Sequence, residues 1–315
     1  MPSTPSGSDS RPPFVSVIVP AKDRESLVSL AVRSALSQAG CRVEVIVVDD
    51  RSADGTRDAV LAIGDSRVRL VAGEGRGPAA ARNAGLRAAS ASESAWVAFL
   101  DSDDLFEPGK LARQSALLAA NPSAGLCYTG HAFFGPAARR EGEGEPPPRR
   151  RGLDRSLPDG LPRLLLRPYF LTSSVVVRKE LIARVGLFDE ALPFAEDYDF
   201  YLRCAAAAPI VGCPEPLVRI RRHDGNLTST DRLRLAYLMK RVVRRHLSRA
   251  RGGGAAPLPA RLASRRLAHL DYAIGALLLE RGGAARARGH FFRALRRRPL
   301  WVKAWKGTLF SFLRK

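Results

Sequence analysis

"WVAFLDSDD", residues 96–104, decides the fold. Trp96 to Leu100 form an apolar run too short for a helix, and the run stops at Asp101, with Asp103 and Asp104 close behind. A short apolar run that ends in turn residues reads as a buried strand. Carboxylates one residue apart at a strand end project into a common cleft. A hard divalent cation is the usual reason for tolerating their repulsion, and magnesium or manganese held by one or two carboxylates keeps open positions for phosphate oxygens.

The surrounding chain has the rhythm such a strand needs. "FVSVIV" (14–19), "VEVIVV" (43–48) and "VRLV" (68–71) are further β-branched runs. They alternate with helical stretches from about Arg24 to Gln38, over "TRDAVLAI", and over "GPAAARNAGLRAA", which opens at Gly77-Pro78. Such βαβ alternation predicts an α/β domain, a mostly parallel central sheet with helices on both faces. Ligands of these sheets bind at the carboxyl ends of the strands. Acidic groups stand at that edge after three of them: Asp23 after Pro20-Ala21-Lys22, Asp49-Asp50 before Arg51, and Asp101-Ser102-Asp103-Asp104. The helix start at Gly77-Pro78 favours an anion nearby, with Arg82 and Asn83 on its first turns within reach of a phosphate or base.

Farther on, "TSSVVVRKELIARVGLFDE" reads as a strand, a short helix and a glycine. "FAEDYDFYLR" then places Glu196 and Asp197 at a helix start, where one of them can serve as a general base. "RIRRHDGNLTS" supplies Arg221, Arg222 and His223 just before a Gly-Asn turn, a cationic loop able to close over a phosphate leaving group.

Composition limits the alternatives. The chain has 315 residues and 45% apolar content, enough for a substantial core. Its charge of +20 is concentrated: residues 231–315 hold 22 Lys and Arg against three acids, and the rest holds 29 against 28. A near-neutral first 230 residues argues against a nucleic-acid groove there. Cys41, Cys127, Cys204 and Cys213 are scattered without metal-ligand spacing, so neither a zinc site nor a disulfide framework is expected, and a reducing cytoplasm is the default compartment. Residues 1–13 read as a disordered leader, 136–162 as a flexible charged insertion, and no stretch is apolar enough to predict a transmembrane helix.

The series "VSVIVPAKDR…VEVIVVDDRSADGT…RGPAAARNAGL…WVAFLDSDDLFEPGKL…GLFDEALPFAEDYDFYLR" resembles the inverting family 2 glycosyltransferases of the GT-A fold over roughly residues 14–230. The resemblance implies a hexosyltransferase-type enzyme that takes a nucleotide-diphosphate sugar as donor and a hydroxyl on a glycan or lipid-linked saccharide as acceptor. It places Pro20, Ala21, Asp23, Asp50, Arg82, Asp101 and Ser102 at the donor nucleotide. Asp103, with His223, falls at a divalent metal, Mn2+ or Mg2+, and Glu196-Asp197 corresponds to the catalytic ED pair with Asp197 as base. One departure is Ala21-Lys22-Asp23, where relatives often carry an aromatic residue; another is the 136–162 insertion, across which no acceptor can be carried.

In the C-terminal 231–315, "AIGALLLERGGAARARGHFFRALRRRPLWVKAW" has the look of a single tetratricopeptide-like helix pair, with Phe292 and Leu295 expected in its core and Pro299 ending it. One unit cannot build a solenoid, so it should pack on the catalytic domain. Its charge, with Trp301, Trp305, Phe310 and Phe312, suggests peripheral docking on the anionic inner face of a membrane. Two other functions fit parts of the pattern. A nucleotidyltransferase would carry a Gly-rich loop after the first strand, and "VPAKDRESL" has no glycine. A non-catalytic sugar-binding module would not need Asp50, Asp101, Asp103 and Asp197 together. A glycosidase would have no use for nucleotide-binding clusters.

Overall fold

The apolar runs form strands in the computed structural model of the chain, which describes residues 12–135, 156–157, 160–166, 168, 170–223, 231–251 and 260–313. The leader, but for its last two residues, and most of the 136–162 stretch lie outside the described residues. The strands are β1 (Phe14–Ala21), β2 (Arg42–Asp49), β3 (Val68–Ala72), β4 (Trp96–Phe99), β5 (Leu105–Phe106), β6 (Leu126–Phe134), β7 (Ser156–Leu157), β8 (Val175–Arg178) and β9 (Ile210–Arg221). Their order in the sheet is β3-β2-β1-β4-β8-β6-β9-β5, with β7 on β9. The β3-β2-β1-β4 half is parallel, as the βαβ rhythm requires. The other half mixes directions: β8 runs antiparallel to β4 and β6, β9 runs parallel to β6, and β5 and β7 run antiparallel to β9. Within the stretch expected to carry no element, β7 and the start of a helix at Gly160 are ordered pieces of the fold.

The helices of the first part are α1 (Glu25–Leu36), α2 (Thr56–Leu61), α3 (Pro78–Ser90), α4 (Lys110–Ala120), α5 (Gly160–Leu166), α6 (Lys179–Val185) and α7 (Glu196–Ala207). β1 shows why both sheet faces must be covered. Val15, Val17 and Val19 join Val28, Val32 and Leu111 in one apolar layer, while Ile18 joins Phe99, Leu86 and Phe200 in the other. Alternate side chains of one strand therefore bury into opposite layers, and a continuous β-branched run results. Gly85 lies where α3 crosses β1, and a Cβ there would stand inside the van der Waals reach of Ile18 Cγ2. The glycine lets the helix press directly on the strand.

The basic C-terminal segment folds as α8 (Arg232–Arg251), α9 (Ala260–Glu280), α10 (Ala284–Arg297) and α11 (Val302–Leu313). It packs on the rest of the chain: Val242, Val243, Ala263, Leu267 and Leu270 share an apolar cluster with Leu164, Tyr198 and Tyr201. Leu295 is buried as expected, but Phe292 is 50% exposed and its neighbour Phe291 is at 1%. The phase is fixed by glycines. Phe291 lies against Gly275 of α9 and Gly307 of α11, where any Cβ would collide with its ring. In the pair Phe291-Phe292 only the first meets this cleft between helices.

Candidate active site

Parallel pairing aligns the carboxyl ends of β2, β1 and β4, since Ala21 stands beside Asp49 and the Leu100 N–H donates to the Ile18 carbonyl at 3.0 Å. The loops after β1 and β2 are tied together. Asp23 N–H donates to Ser52 Oγ at 3.0 Å, and Asp23 Oδ1 accepts from the Ala53 N–H at 2.8 Å. Pro20 is half-buried, Ala21 is buried, and the Asp23 side chain is exposed at the cleft edge. Asp50 is buried, and both carboxylate oxygens accept from backbone: Gly75 N–H at 2.7 Å and Gly77 N–H at 2.8 Å. Asp50 therefore shapes the loop that leads into α3. Gly75 and Gly77 both have positive φ, which suits that tight approach.

Among the described residues, three non-glycine positions adopt positive φ: Asp23, Arg51 and Ala195. The first two lie in these nucleotide-side loops, and the third immediately precedes Glu196. Such conformations cost about 1–3 kcal/mol each and concentrate where a loop must aim a functional group.

Arg82 joins the two motifs that the sequence separates by almost a hundred residues. It is buried, its Nη2 donates to Asp101 Oδ1 at 2.9 Å, and its Nη1 donates to Glu196 Oε1 at 2.7 Å. The planar guanidinium suits two carboxylates at a fixed angle. Burial opposes its charge, but Asp101 and Glu196 outweigh burial and hold its pKa above the usual value. The fork expected to reach a phosphate is therefore engaged by protein carboxylates. Asn83, expected beside it, holds a loop instead: it accepts from the Phe188 N–H at 2.9 Å and donates to the Phe188 carbonyl at 3.0 Å and Glu190 Oε1 at 2.8 Å.

Glu196 is buried while Asp197 is half-buried, so the second of the pair is the more accessible. Burial, the neighbouring Asp197 and a weaker opposing Arg82 charge leave the Glu196 carboxyl raised to about 7. Burial also raises Asp197, against the stabilising charge of Arg82 and the Tyr198 N–H at 2.7 Å. Thr172 Oγ1 is 3.4 Å from its other oxygen. A carboxylate with a raised pKa and one loosely held oxygen has the properties of a proton acceptor.

The DSDD turn separates its acids by environment. Asp103 Oδ2 lies 2.9 Å from His223 Nε2, and its carbonyl accepts from Arg221 Nε at 3.0 Å. Asp104 is buried, accepting from Ser173 Oγ at 2.6 Å and from the Arg221 N–H at 2.9 Å. Burial first, then Asp101 and Asp103, push its carboxyl well above the ordinary range. Ser173 also accepts from the Asp101 N–H at 3.0 Å, so one hydroxyl braces both ends of the turn. Ser102 is buried between them. Ser173 and Asp104 are structural members of the site that the sequence reading left without a role. "TSS" before "VVV" gave no signal beyond a strand start.

The donor set can be tested against a divalent ion. Among the described residues no three His, Cys, Asp or Glu side chains gather as metal ligands. Asp103 and His223 do offer one oxygen and one nitrogen at adjacent positions. That suits an ion whose remaining ligands are phosphate oxygens and water.

Asp199, two residues after the ED pair, turns away from the cleft. Its carboxylate accepts from Arg203 Nε at 3.0 Å, Arg245 Nη2 at 2.6 Å and His246 Nε2 at 3.0 Å. Arg245 and His246 belong to α8, so the C-terminal segment clasps the helix that bears the ED pair.

Comparison with known proteins agrees with this geometry. Residues 16–165 match the family described as glycosyl transferase family 2. The succinoglycan biosynthesis protein ExoO of Rhizobium meliloti is 49% identical over 102 residues, 32% of this chain and 28% of that protein. UDP-Glc:alpha-D-GlcNAc-diphosphoundecaprenol beta-1,3-glucosyltransferase WfgD of Escherichia coli is 40% identical over 109 residues, 34% of this chain and 42% of that protein. The matched region thus spans less than half the length of either relative. In fold, the chain superposes on S. aureus TarS 1–349 in complex with UDP-GlcNAc with a TM-score of 0.68 at 19% identity, covering 95% of this chain and 89% of that one. It superposes on the mannosyltransferase PcManGT of Pyrobaculum calidifontis, in complex with GDP-Man and Mn2+, with a TM-score of 0.62 at 22% identity, covering 97% and 81%. With a GT-A sheet whose strand ends bear these acids, and with the family match running from β1 through α5, residues 16–165 of the chain belong to the family 2 glycosyltransferases.

Proposed function

We propose that the chain transfers a hexose from a nucleotide-diphosphate sugar to an acceptor hydroxyl with inversion. The observation that carries this reading is the Arg82 fork, which holds Asp101 and Glu196 in one cleft and so sets the donor edge beside the ED pair. Pro20, Ala21, Asp23 and Asp50 frame the nucleotide, the last through the 73–77 loop. Asp101 lies toward ribose and sugar, beside buried Ser102. Asp103 and His223 would hold Mn2+ or Mg2+, which supplies charge neutralisation for the diphosphate.

Inversion requires one in-line displacement. Asp197 takes the acceptor hydroxyl proton as the oxygen bonds to the anomeric carbon, and the bond from that carbon to the diphosphate oxygen breaks as the nucleoside diphosphate leaves with its electron pair. Glu196 stays locked to Arg82 and orients the helix start. A screen of UDP-, GDP- and dTDP-sugars with manganese or magnesium tests the reading, with product anomers read by NMR. Turnover of at least one donor to the inverted product is expected; no donor binding, or retention of configuration, overturns it.

The second part of the proposal is an acceptor presented at a membrane. No helix among the described residues is long and apolar enough to cross one. α11 instead exposes Trp305, Leu309, Phe310, Phe312 and Leu313 along with Lys303 and Lys306. An apolar face flanked by cations suits the interface of an anionic bilayer, peripheral at the inner leaflet. Flotation of the full chain with phosphatidylcholine vesicles containing phosphatidylglycerol should recover it, and the double variant Phe310→Ser, Phe312→Ser should stay in solution. Equal recovery of the two proteins sinks the idea.

A further inference from the structure

A cavity of about 390 Å³ opens between α8 and α10, lined by Tyr237, Lys240, Arg241, Arg244, His290 and Arg293. That volume lies within the usual span for a small-ligand site. Four of the six lining residues are cationic, and no acid lines it. A single carboxylate, fully buried Asp271, stands behind the wall and is already shared. Lys240 pairs with it, His290 Nδ1 lies 2.9 Å from it, Arg297 Nη1 donates at 2.9 Å, and Arg293 Nε is at 3.6 Å. His290 Nε2 in turn meets the Tyr237 hydroxyl at 3.0 Å. Asp271 thus fixes the wall while leaving most of the positive charge uncompensated. Arg241 and Arg244 face the cavity from exposed positions on α8. Burial depresses the Lys240 pKa against its bond to Asp271, and Arg244 and Arg293 add to the depression.

We propose that this cavity is a binding site for a phosphate-bearing ligand, set apart from the donor cleft. Guanidinium groups arriving from two helices match the tetrahedral oxygens of a phosphate. The site shares no residue with the cleft around Asp101 and Asp197. It is nonetheless connected to that cleft, because α8 presents Lys240, Arg241 and Arg244 to the cavity and Arg245 and His246 to Asp199. The ligand chemistry has two sources, a soluble phosphate compound or the headgroup of a phospholipid.

The test uses the full chain in EDTA, with no sugar donor, so that it reads binding independently of glycosyl transfer. Calorimetric titration with inorganic pyrophosphate is one arm. Co-sedimentation with phosphatidylcholine vesicles, with and without phosphatidic acid, is the other. The triple variant Arg241→Ala, Arg244→Ala, Arg293→Ala is compared with Arg261→Ala, Arg265→Ala, Arg296→Ala, which removes the same charge from exposed positions outside the cavity. Saturable binding in either arm that weakens at least about tenfold in the cavity variant and less than about twofold in the control is expected. Binding only to phosphatidic acid vesicles assigns the site to a headgroup, and binding of pyrophosphate to a soluble phosphate. Absence of saturable binding in both arms, or equal weakening of the two variants, overturns the proposal. Unchanged melting temperatures in both variants exclude misfolding as the cause.

Discussion

Arg245 Nη2 lies 2.6 Å from Asp199 Oδ1, joining the basic C-terminal segment to the helix that begins with Glu196-Asp197. Asp199 is 1% exposed. Burial opposes its charge, but hydrogen bonds from His246 and Arg245 outweigh burial and hold its carboxyl below the usual range. Asp199→Asn leaves Arg203 without its anion and Arg245 with Asp189 alone, and should cost about 3 kcal/mol in chemical unfolding, the low end for a broken buried pair because both arginines reach solvent. A carboxylate depressed in the folded state contributes stability above its unfolded pKa of about 4 and loses it as pH falls. The gap between wild type and variant should therefore narrow steadily below about pH 4. A chain ended before Arg232 would also uncover the apolar contacts of Val242 and Leu267, and should melt well below the full chain.

Asp197→Asn removes the proposed proton acceptor without removing any donor contact. Transfer should fall by about 10²- to 10⁴-fold. Binding of the nucleotide sugar, measured by titration with Mn2+ present, should stay within a few-fold. Loss of both together would move Asp197 out of the base role and into donor binding.

The acidic limb of the kcat/KM profile should reflect the coupled Glu196-Asp197 pair. A base acts only when deprotonated, so activity rises with pH, and burial places that rise above the ordinary carboxylate range. A neighbouring anion raises a carboxyl pKa, and its removal lowers it. Glu196→Gln should accordingly shift the limb to lower pH while lowering the plateau through the weakened Arg82 pairing. An unshifted limb would show that the two carboxyls do not sense each other.

Two acids of the DSDD turn should answer differently to amide substitution. Burial and its neighbours push the Asp104 carboxyl well above the ordinary range, so Asp104→Asn, which removes a charge the site disfavours, should change metal binding and activity less than the same change at Asp103. Asp103→Asn should weaken Mn2+ binding, read by the ion's paramagnetic effect on water relaxation. Ser173→Ala, which strips the brace from both Asp101 and Asp104, should cost about 1–3 kcal/mol of stability.

The parallel half of the sheet was legible because βαβ units announce themselves as short continuous β-branched runs alternating with helical stretches. The carboxyl-edge rule then located Asp23, Asp50, Asp101 and Asp103 without coordinates. The partners were not legible. Nothing local marks Arg82 as the link between Asp101 and Glu196, 19 and 114 positions away, or Ser173 as the brace of a turn 69 positions earlier. Such contacts depend on which strands become neighbours, and the insertion of β8 between β4 and β6 was not written in any short stretch. The Phe291 and Phe292 ambiguity had the same origin, since two adjacent aromatic residues are distinguished only by glycines on other helices.

Gly85 gives the sheet a remote influence on the chemistry. α3 carries Arg82 on one turn and Gly85 on the next, and the missing Cβ is what lets the helix rest on Ile18. A single methyl group at position 85 would act as a wedge, tilting the helix and swinging the guanidinium away from two carboxylates at once. Displacements of about 1 Å at a reacting centre can cost about 10²-fold in rate. The smallest residue in the helix, on its face away from solvent, thereby keeps the donor side and the acceptor side of the cleft in alignment.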